Sequence, residues 1–383
     1  MAFKRKIIKA STVPVSLDTF CRGQLKELSS QYEVVALSSS GRELDELGRR
    51  EQVRTIAVEM QRHISPINDL KSLLKLWSCF RRERPWLVHS MTPKAGLLCM
   101  VAAWLARVPR RVHTFTGLVW PTQRRFKRAL LKMMDRLLCA CATHIIPEGQ
   151  GVKRDLECGK ITSKPLRVLA NGNVRGIDLQ QYALSADVVA QADKLRSRDC
   201  LTFVFVGRLV GDKGINELVE AFEMLQREIN GVRLVLVGEA EGNLDPLKPE
   251  TLKAIENNVA INAVGRQKDV RPWLAAADVF VFPSYREGFP NVVIEAGAMD
   301  LPSIVTDING SNEIVIDGQN GLIVPPRQVE ELMNAMKRMV KDTALRDKMA
   351  ACSRQMIADR YDSTLVRRAL YEFYEQLAID NKS

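Results

Sequence analysis

"DVFVFPSYREGFPNVVIEAGAMDLPSIVTD" (Asp278–Asp307) carries two short apolar runs joined by a tight turn and a stretch of small residues. "DVFVFPS" and "LPSIVTD" read as strands, because β-branched and aromatic residues run unbroken up to Pro or Asp. Between them a helix is expected to start near Pro290, where proline suits a first turn. Asn291 and Glu295 then share one face, and Val292, Ala296 and Met299 are expected to face the sheet. A strand, a helix and a second strand in so short a span predict a parallel pair with a helical crossover.

The same grammar extends upstream. "LTFVFVGRL", "VRLVLVGE" and "VAINAVGR" read as strands, so five strands are expected in the second half of the chain. In the first half, "RKIIKAST", "YEVVALSSSG", "VRTIAVEM", "WLVHSMT", "RRVHTFTG" and "THIIPEG" are expected strands. Helical patterns such as "LDTFCRGQLKELSSQ", "INDLKSLLKLWSCFRRERP" and "PKAGLLCMVAAWLARVP" separate them. The expectation is an α/β protein of two doubly wound units, with ligands at the carboxyl ends of the strands. A Gly/Asn cluster at Asn171–Tyr182 marks the join. The predicted division is 1–172, 173–362 and a last helix, 363–383, that packs back on the first domain.

At 383 residues, two domains are the natural expectation. The longest uncharged apolar run, Ala95–Ala106, is 12 residues and too short to cross a bilayer. No apolar core follows the basic N-terminus, which argues against a signal peptide. The eight cysteines have no metal or disulfide spacing, and the four histidines form no HExxH, so a reducing cytoplasm and no metal site are expected. Residues 1–170 hold 31 Lys and Arg against 14 Asp and Glu, whereas residues 171–383 hold 25 against 31. A basic first half suits a polyanion such as nucleic acid, an anionic membrane or a phosphorylated lipid, and equally a merely solvated basic face.

Two constellations carry chemistry. In "FVFVGRLVGDKGINELVEAF" (Phe203–Phe222), a strand meets a helix through Gly207, Arg208, Gly211, Lys213 and Gly214. Glycines admit close backbone approach, Arg208 offers a planar clamp and Lys213 a mobile point charge, which together suit a diphosphate. The same residues would also make an ordinary strand-to-helix turn with solvated charges. In the opening stretch, Glu287 and Glu295 can line one cleft at a helix N-terminus and accept hydrogen bonds from diol hydroxyls, or else serve as cap and salt bridge. Arg266, after Gly265 at a strand end, is expected near a base edge. Lys94, at a helix start, is a candidate for an acceptor phosphate.

"TQRRFKRALLKMMDRLL" (Thr122–Leu138) places Arg124, Arg125, Lys127 and Arg128 among apolar residues. That pattern fits a helix lying on an anionic membrane, or a core helix with a solvated side. The lack of interleaved aromatics argues against nucleic acid.

"GRLVGDKG", the long segment from "VGRQKDVRPWL" to "NGLIVPP" and the E-x7-E pair together resemble the family-4 retaining glycosyltransferases of the GT-B fold. The resemblance implies two Rossmann-like domains facing across a cleft. It implies transfer of a sugar from a nucleotide diphosphate sugar, with a UDP-sugar the expected donor, to a growing glycan, and the first half is similar to enzymes that build capsule or O-antigen on undecaprenyl diphosphate. Arg208 and Lys213 would then bind the donor phosphates, Glu287 the sugar hydroxyls and Glu295 the ribose. Backbone groups of Gly288, Phe289, Asn291 and Val292 would lie beside sugar and phosphate. His113 would contact the donor, and Arg22 would stand in for a missing glycine pair on the acceptor side. The chain would work without cofactor, at the inner face of the cytoplasmic membrane.

With no D-x-D anywhere, no metal is expected to bridge carboxylates and diphosphate. A sugar-nucleotide epimerase or hydrolase of the same architecture and a non-catalytic binding protein are the rival readings. A dinucleotide-dependent dehydrogenase would need G-x-G-x-x-G after the first strand, and "STVPVSLDT" contains no glycine.

Overall fold

A computed structural model describes residues 4–61, 65–197, 199–240 and 245–379. The chain divides into two compact units, Met1–Gly176 with Thr364–Ser383, and Ile177–Ser363.

The first unit begins with β1 (Lys6–Ala10), α1 (Pro14–Cys21), α2 (Gln24–Leu28), β2 (Glu33–Ser38), α3 (Arg42–Glu51) and β3 (Arg54–Ala57). It continues with α4 (Pro66–Glu83), β4 (Leu87–Met91), α5 (Pro93–Leu105), β5 (Arg110–Phe115), α6 (Arg125–Cys141), β6 (His144–Pro147) and α7 (Gln150–Cys158). The second unit opens with α8 (Ala186–Leu195), β7 (Leu201–Val206), α9 (Ile215–Glu228), β8 (Val232–Val237), α10 (Pro249–Asn257) and β9 (Ile261–Gly265). Then come α11 (Arg271–Ala275), β10 (Val279–Phe282), α12 (Asn291–Ala298), β11 (Ser303–Thr306) and α13 (Ser311–Ile314). β12 (Gly321–Val324), α14 (Val329–Lys341) and α15 (Thr343–Tyr361) complete it, and α16 (Ser363–Ile379) returns the chain to the first unit.

Each unit holds one six-stranded sheet, ordered β3-β2-β1-β4-β5-β6 and β12-β11-β10-β7-β8-β9. Every pairing is parallel. Counted from its own first strand, the second sheet repeats the order of the first. Strand order therefore reverses between β1 and β4, and again between β7 and β10, and a crevice opens at each such point. Helices cover both faces, which is why the strands read as continuous apolar runs rather than alternating ones. In β1, Ile8 joins the core beneath α4, α5 and α6, while its neighbour Ile7 joins the one beneath α1, α2, α3 and α16.

Three elements depart from the sequence expectation. The helix read across Leu17–Gln31 is broken into α1 and α2 at Gly23. Gly23 takes φ +73°, and its amide donates to Glu51 Oε1 at 2.8 Å. Only five strands were expected in the second sheet; the sixth is β12, four residues long. α12 is buried on more than the expected face: Val293 and Ile294 are buried with Ala296 and Met299, while Val292 is half-buried. The reason is a second neighbour. α12 also packs against α15, where Gly297 leaves so little room that a Cβ would sit 2.7 Å from Ile357.

Candidate functional site

The loops after β7 and β10 meet where the second sheet reverses. Gly214, at φ +71°, lets the first loop pass so close to the end of β10 that a Cβ there would lie 2.1 Å from the Pro283 carbonyl oxygen. The Tyr285 amide donates to the Asp212 carbonyl at 2.9 Å, and Ser284 Oγ donates to the same oxygen at 3.2 Å. This stitching brings Lys213 to Glu287, 74 positions later in the chain. Lys213 Nζ donates to Glu287 Oε1, and that same oxygen accepts from Ser284 Oγ at 2.8 Å. The ammonium also lies 5.4 Å from the centre of the Phe282 ring. Both side chains of the pair keep 16% exposure, so they remain open to solvent.

The other expected donor-side residues lie on the loops and the helix start that follow β7, β9 and β10, at the carboxyl end of the second sheet. Gly207, Gly238 and Gly265 close β7, β8 and β9, linked by amide donation from Gly207 to Val237 and from Gly238 to Gly265. A Cβ at Gly238 would fall 1.7 Å from the Gly207 carbonyl oxygen. Arg208 and Arg266, next after two of these glycines, are exposed. Gly288 and Phe289 lie over Gly310, whose Cβ would meet the Gly288 oxygen at 2.5 Å. The Phe289 side chain is spent on packing, its ring 5.5 Å from that of Tyr361, so only its backbone is available to a ligand. Asn291 and Val292 form the first turn of α12, where α-helical amides have no partner within the helix. Glu295, one turn on, is 8% exposed.

Residues with no sequence signal complete the loop. The Asp245 carbonyl accepts from the Gly211 amide at 3.1 Å, and its carboxylate accepts from the Asp212 amide. Thr306 donates its hydroxyl to the Ser284 carbonyl. Arg327 stacks 4.4 Å from the Tyr285 ring centre. Single small polar residues scattered through loops have no period to betray them.

One first-unit expectation is corrected, and two further residues already have partners within the unit. His113 is 1% exposed within the core: its Nδ1 is 2.9 Å from Ser90 Oγ, its ring edges Phe115 at 4.5 Å, and Gly96 of α5 lies against it. Burial pushes its imidazole down to about 3, so it is a neutral group enclosed in the core of the first unit. Lys94 is an ion-pair partner of Asp69 at 2.5 Å, and the Ala95 amide donates to Thr12 Oγ1 at 3.2 Å. The helix start offered to an acceptor phosphate is thus already filled. Arg22 pairs with Asp18 at 2.6 Å on the surface, and the Gly23 amide beside it is taken by Glu51. By contrast, Arg124, Arg125, Lys127 and Arg128 are all exposed at the start of α6. Asp135, the one acid of α6, is half-buried, and burial raises its carboxyl to about 7.

Residues 200–342 match the family described as "Glycosyl transferases group 1", and residues 18–172 match "Glycosyl transferase 4-like domain". The chain is 31% identical to the capsular polysaccharide biosynthesis glycosyltransferase CapM of Staphylococcus aureus, over 97% of both chains. It belongs to the group 1 glycosyltransferases. A second relative of this transferase is the Escherichia coli UDP-Gal:alpha-D-GlcNAc-diphosphoundecaprenol alpha-1,3-galactosyltransferase, 28% identical over 77% of each chain. Among solved structures, Anabaena HepE in complex with UDP-glucose superposes with a TM-score of 0.80 at 19% identity, covering 97% of this chain and 99% of that one. That likeness, with a TM-score of 0.79 to the sucrose-phosphate synthase of Thermosynechococcus elongatus (21% identical, covering 98% and 100%), establishes the GT-B fold.

Proposed function

We propose that the transferase moves a sugar, with retention of anomeric configuration, from a UDP-sugar to a hydroxyl of a glycan carried on undecaprenyl diphosphate, in the synthesis of a surface polysaccharide. The observation that carries this is the meeting of Lys213 with Glu287 at the strand-order reversal of the second sheet. A cation and a carboxylate at one crevice mouth suit the two ends of a sugar diphosphate.

In this reading Arg208 and Lys213 neutralise the diphosphate, assisted by the first-turn amides of α12. Glu287 accepts hydrogen bonds from sugar hydroxyls and Glu295 from the ribose. The acceptor oxygen forms its bond to the anomeric carbon as the bond from that carbon to the phosphate oxygen breaks. The departing phosphate takes the acceptor's proton, so no protein nucleophile is needed. Since the sequence has no D-x-D, the reaction is read as independent of metal and cofactor.

The activity of the Escherichia coli relative and the UDP-glucose bound by HepE support a UDP-sugar donor, and the former supports a lipid-linked acceptor. Among the described residues no helix is long and apolar enough to cross a membrane. The basic start of α6 supports contact with an anionic membrane surface, at its cytoplasmic face.

The test is a panel of UDP- and GDP-sugars in thermal-shift and transfer assays. UDP-sugars should stabilise the protein, and transfer should persist in EDTA. Arg208→Ala and Lys213→Ala should each lower turnover by about 10- to 100-fold even at saturating donor. Unchanged turnover in both variants would sink the reading.

A further inference from the structure

α4 spans 18 residues, ~27 Å at helical rise. Its inner side seats Leu76, Cys79 and Phe80 in the core of the first unit. Its outer side exposes Ile67 (72%), Leu70 (57%), Leu74 (55%) and Trp77 (40%), spaced three or four residues apart. That spacing lines them up as one stripe along the helix. Single exposed apolar residues need no explanation, but a continuous stripe of four large ones does.

The charges beside the stripe have one sign. Lys71, Lys75 and Arg81 are exposed. α4 has two acids, and both are drawn away from this surface: Asp69 pairs with Lys94, and Glu83 pairs with Lys6 and Arg54. The layer continues in the same sense. α4 packs on α5 and α5 on α6, all over one core of the first unit, and α6 exposes Phe126, Met133 and Leu137 beside its own arginines.

We propose that the outer face of α4 is a membrane-docking surface, with its apolar stripe seated among the acyl chains and its lysines and Arg81 at anionic headgroups. The inference rests on the membrane-facing reading of α6 and adds a second helix to it. Apolar residues flanked by cations with no intervening acid fit an interfacial helix, and Trp77 suits the headgroup boundary. A second copy of the chain fits worse, since a symmetric contact would set Lys71, Lys75 and Arg81 against their equivalents.

Flotation of the purified full chain with vesicles tests this. Vesicles of phosphatidylcholine alone are compared with vesicles in which part of it is replaced by phosphatidylglycerol. The wild type should float with the second and far less with the first, and raised salt should weaken the association. Leu70→Glu with Leu74→Glu should abolish flotation. Lys71→Glu with Lys75→Glu should lower it by at least about 30-fold. Circular dichroism melts identify any variant that fails to fold, and the lipid and salt dependence of the wild type tests the proposal without variants. Transfer to a short water-soluble acceptor should stay at the wild-type level in both double variants. Its absence from the wild type would count against the transferase reading, not against docking. A wild type that never floats, or a Leu70/Leu74 variant that floats as well as wild type, would overturn the proposal. So would light scattering that shows a wild-type dimer lost in that variant, because the stripe would then belong to a second copy.

Discussion

Lys213 rests on Glu287, and Glu287 in turn holds Ser284, so the three form one small electrostatic unit. Lys213→Ala should destabilise the protein by about 1–3 kcal/mol, because it leaves a half-enclosed carboxylate with only a hydroxyl donor. The double variant with Glu287→Gln should lose less than the two single losses combined. Urea unfolding of all four species gives the coupling, and strictly additive losses would deny the contact. A different residue sets acid sensitivity. Burial pushes the His113 imidazole from 6.5 down to about 3, and that of His89 well below its ordinary value. The unfolded chain takes up these protons below about pH 6.5, while folded His113 refuses one until about pH 3. Stability contributed by neutral His113 is therefore full above pH 6.5 and is lost as pH falls through that window. The slope is at most ~1.4 kcal/mol per pH unit for each histidine. His113→Gln should flatten the acid limb of the urea midpoint against pH; a slope equal to that of the wild type would refute the assignment.

Whole elements were easier to read than their surroundings. The parallel strands and long helices stand out in the sequence because the inner strands are apolar on both sides and most long helices have a period, and α16 was read at its observed bounds. Lys213 and Glu287 were legible singly, by residue type and loop position, but their pairing was not, because it follows from loops converging at a strand-order reversal that only the fold reveals. The errors arise where a second neighbour decides. α12 has α15 as well as its sheet, and Gly23 answers to Glu51 of another helix. His113 was misjudged through strand parity: in a strand buried on both faces, the sequence does not say which core a side chain enters. Val112 joins the core under α1–α3, and His113 points the opposite way, against α5. Glycines give a sharp test at this scale. Gly214 and Gly265 both take left-handed backbone, at φ +71° and +68°, but only Gly214 is also crowded, a Cβ at Gly265 meeting open space. Gly265→Ala should cost about 1 kcal/mol, and Gly214→Ala roughly 3 kcal/mol or more, together with donor affinity, as its loop is forced off β10. Thermal melts with titration of UDP separate the two, and equal effects would contradict the close approach.

For the molecule as a whole, the chain leaves its first unit at Gly176 and re-enters it at Thr364, so a segment far along the chain completes a core begun at β1. Leu370, Phe373, Tyr374 and Leu377 of α16 join Ile7, Leu25 and Val34 in one apolar cluster. Polar groups fix the position of the helix. The Tyr374 hydroxyl lies 2.5 Å from His89 Nδ1, His89 Nε2 lies 2.7 Å from Thr114 Oγ1, and the buried Lys9 ammonium donates to Gln24 at 2.8 Å with the Tyr374 ring 5.9 Å away. Tyr374→Phe keeps the ring and its packing but strands a histidine nitrogen, which should cost about 1–3 kcal/mol. Tyr374→Ala also empties the site and should cost several kcal/mol more, at about 3–5 kcal/mol for losing a large buried aromatic. Both losses belong to the first unit. Calorimetry should show its transition moving down in the order wild type, Phe, Ala, while UDP protection of the second unit, read by limited proteolysis, holds at its wild-type concentration dependence. Equal loss of UDP protection in the Ala variant would mean that α16 supports the second unit too, contrary to the division drawn by its contacts.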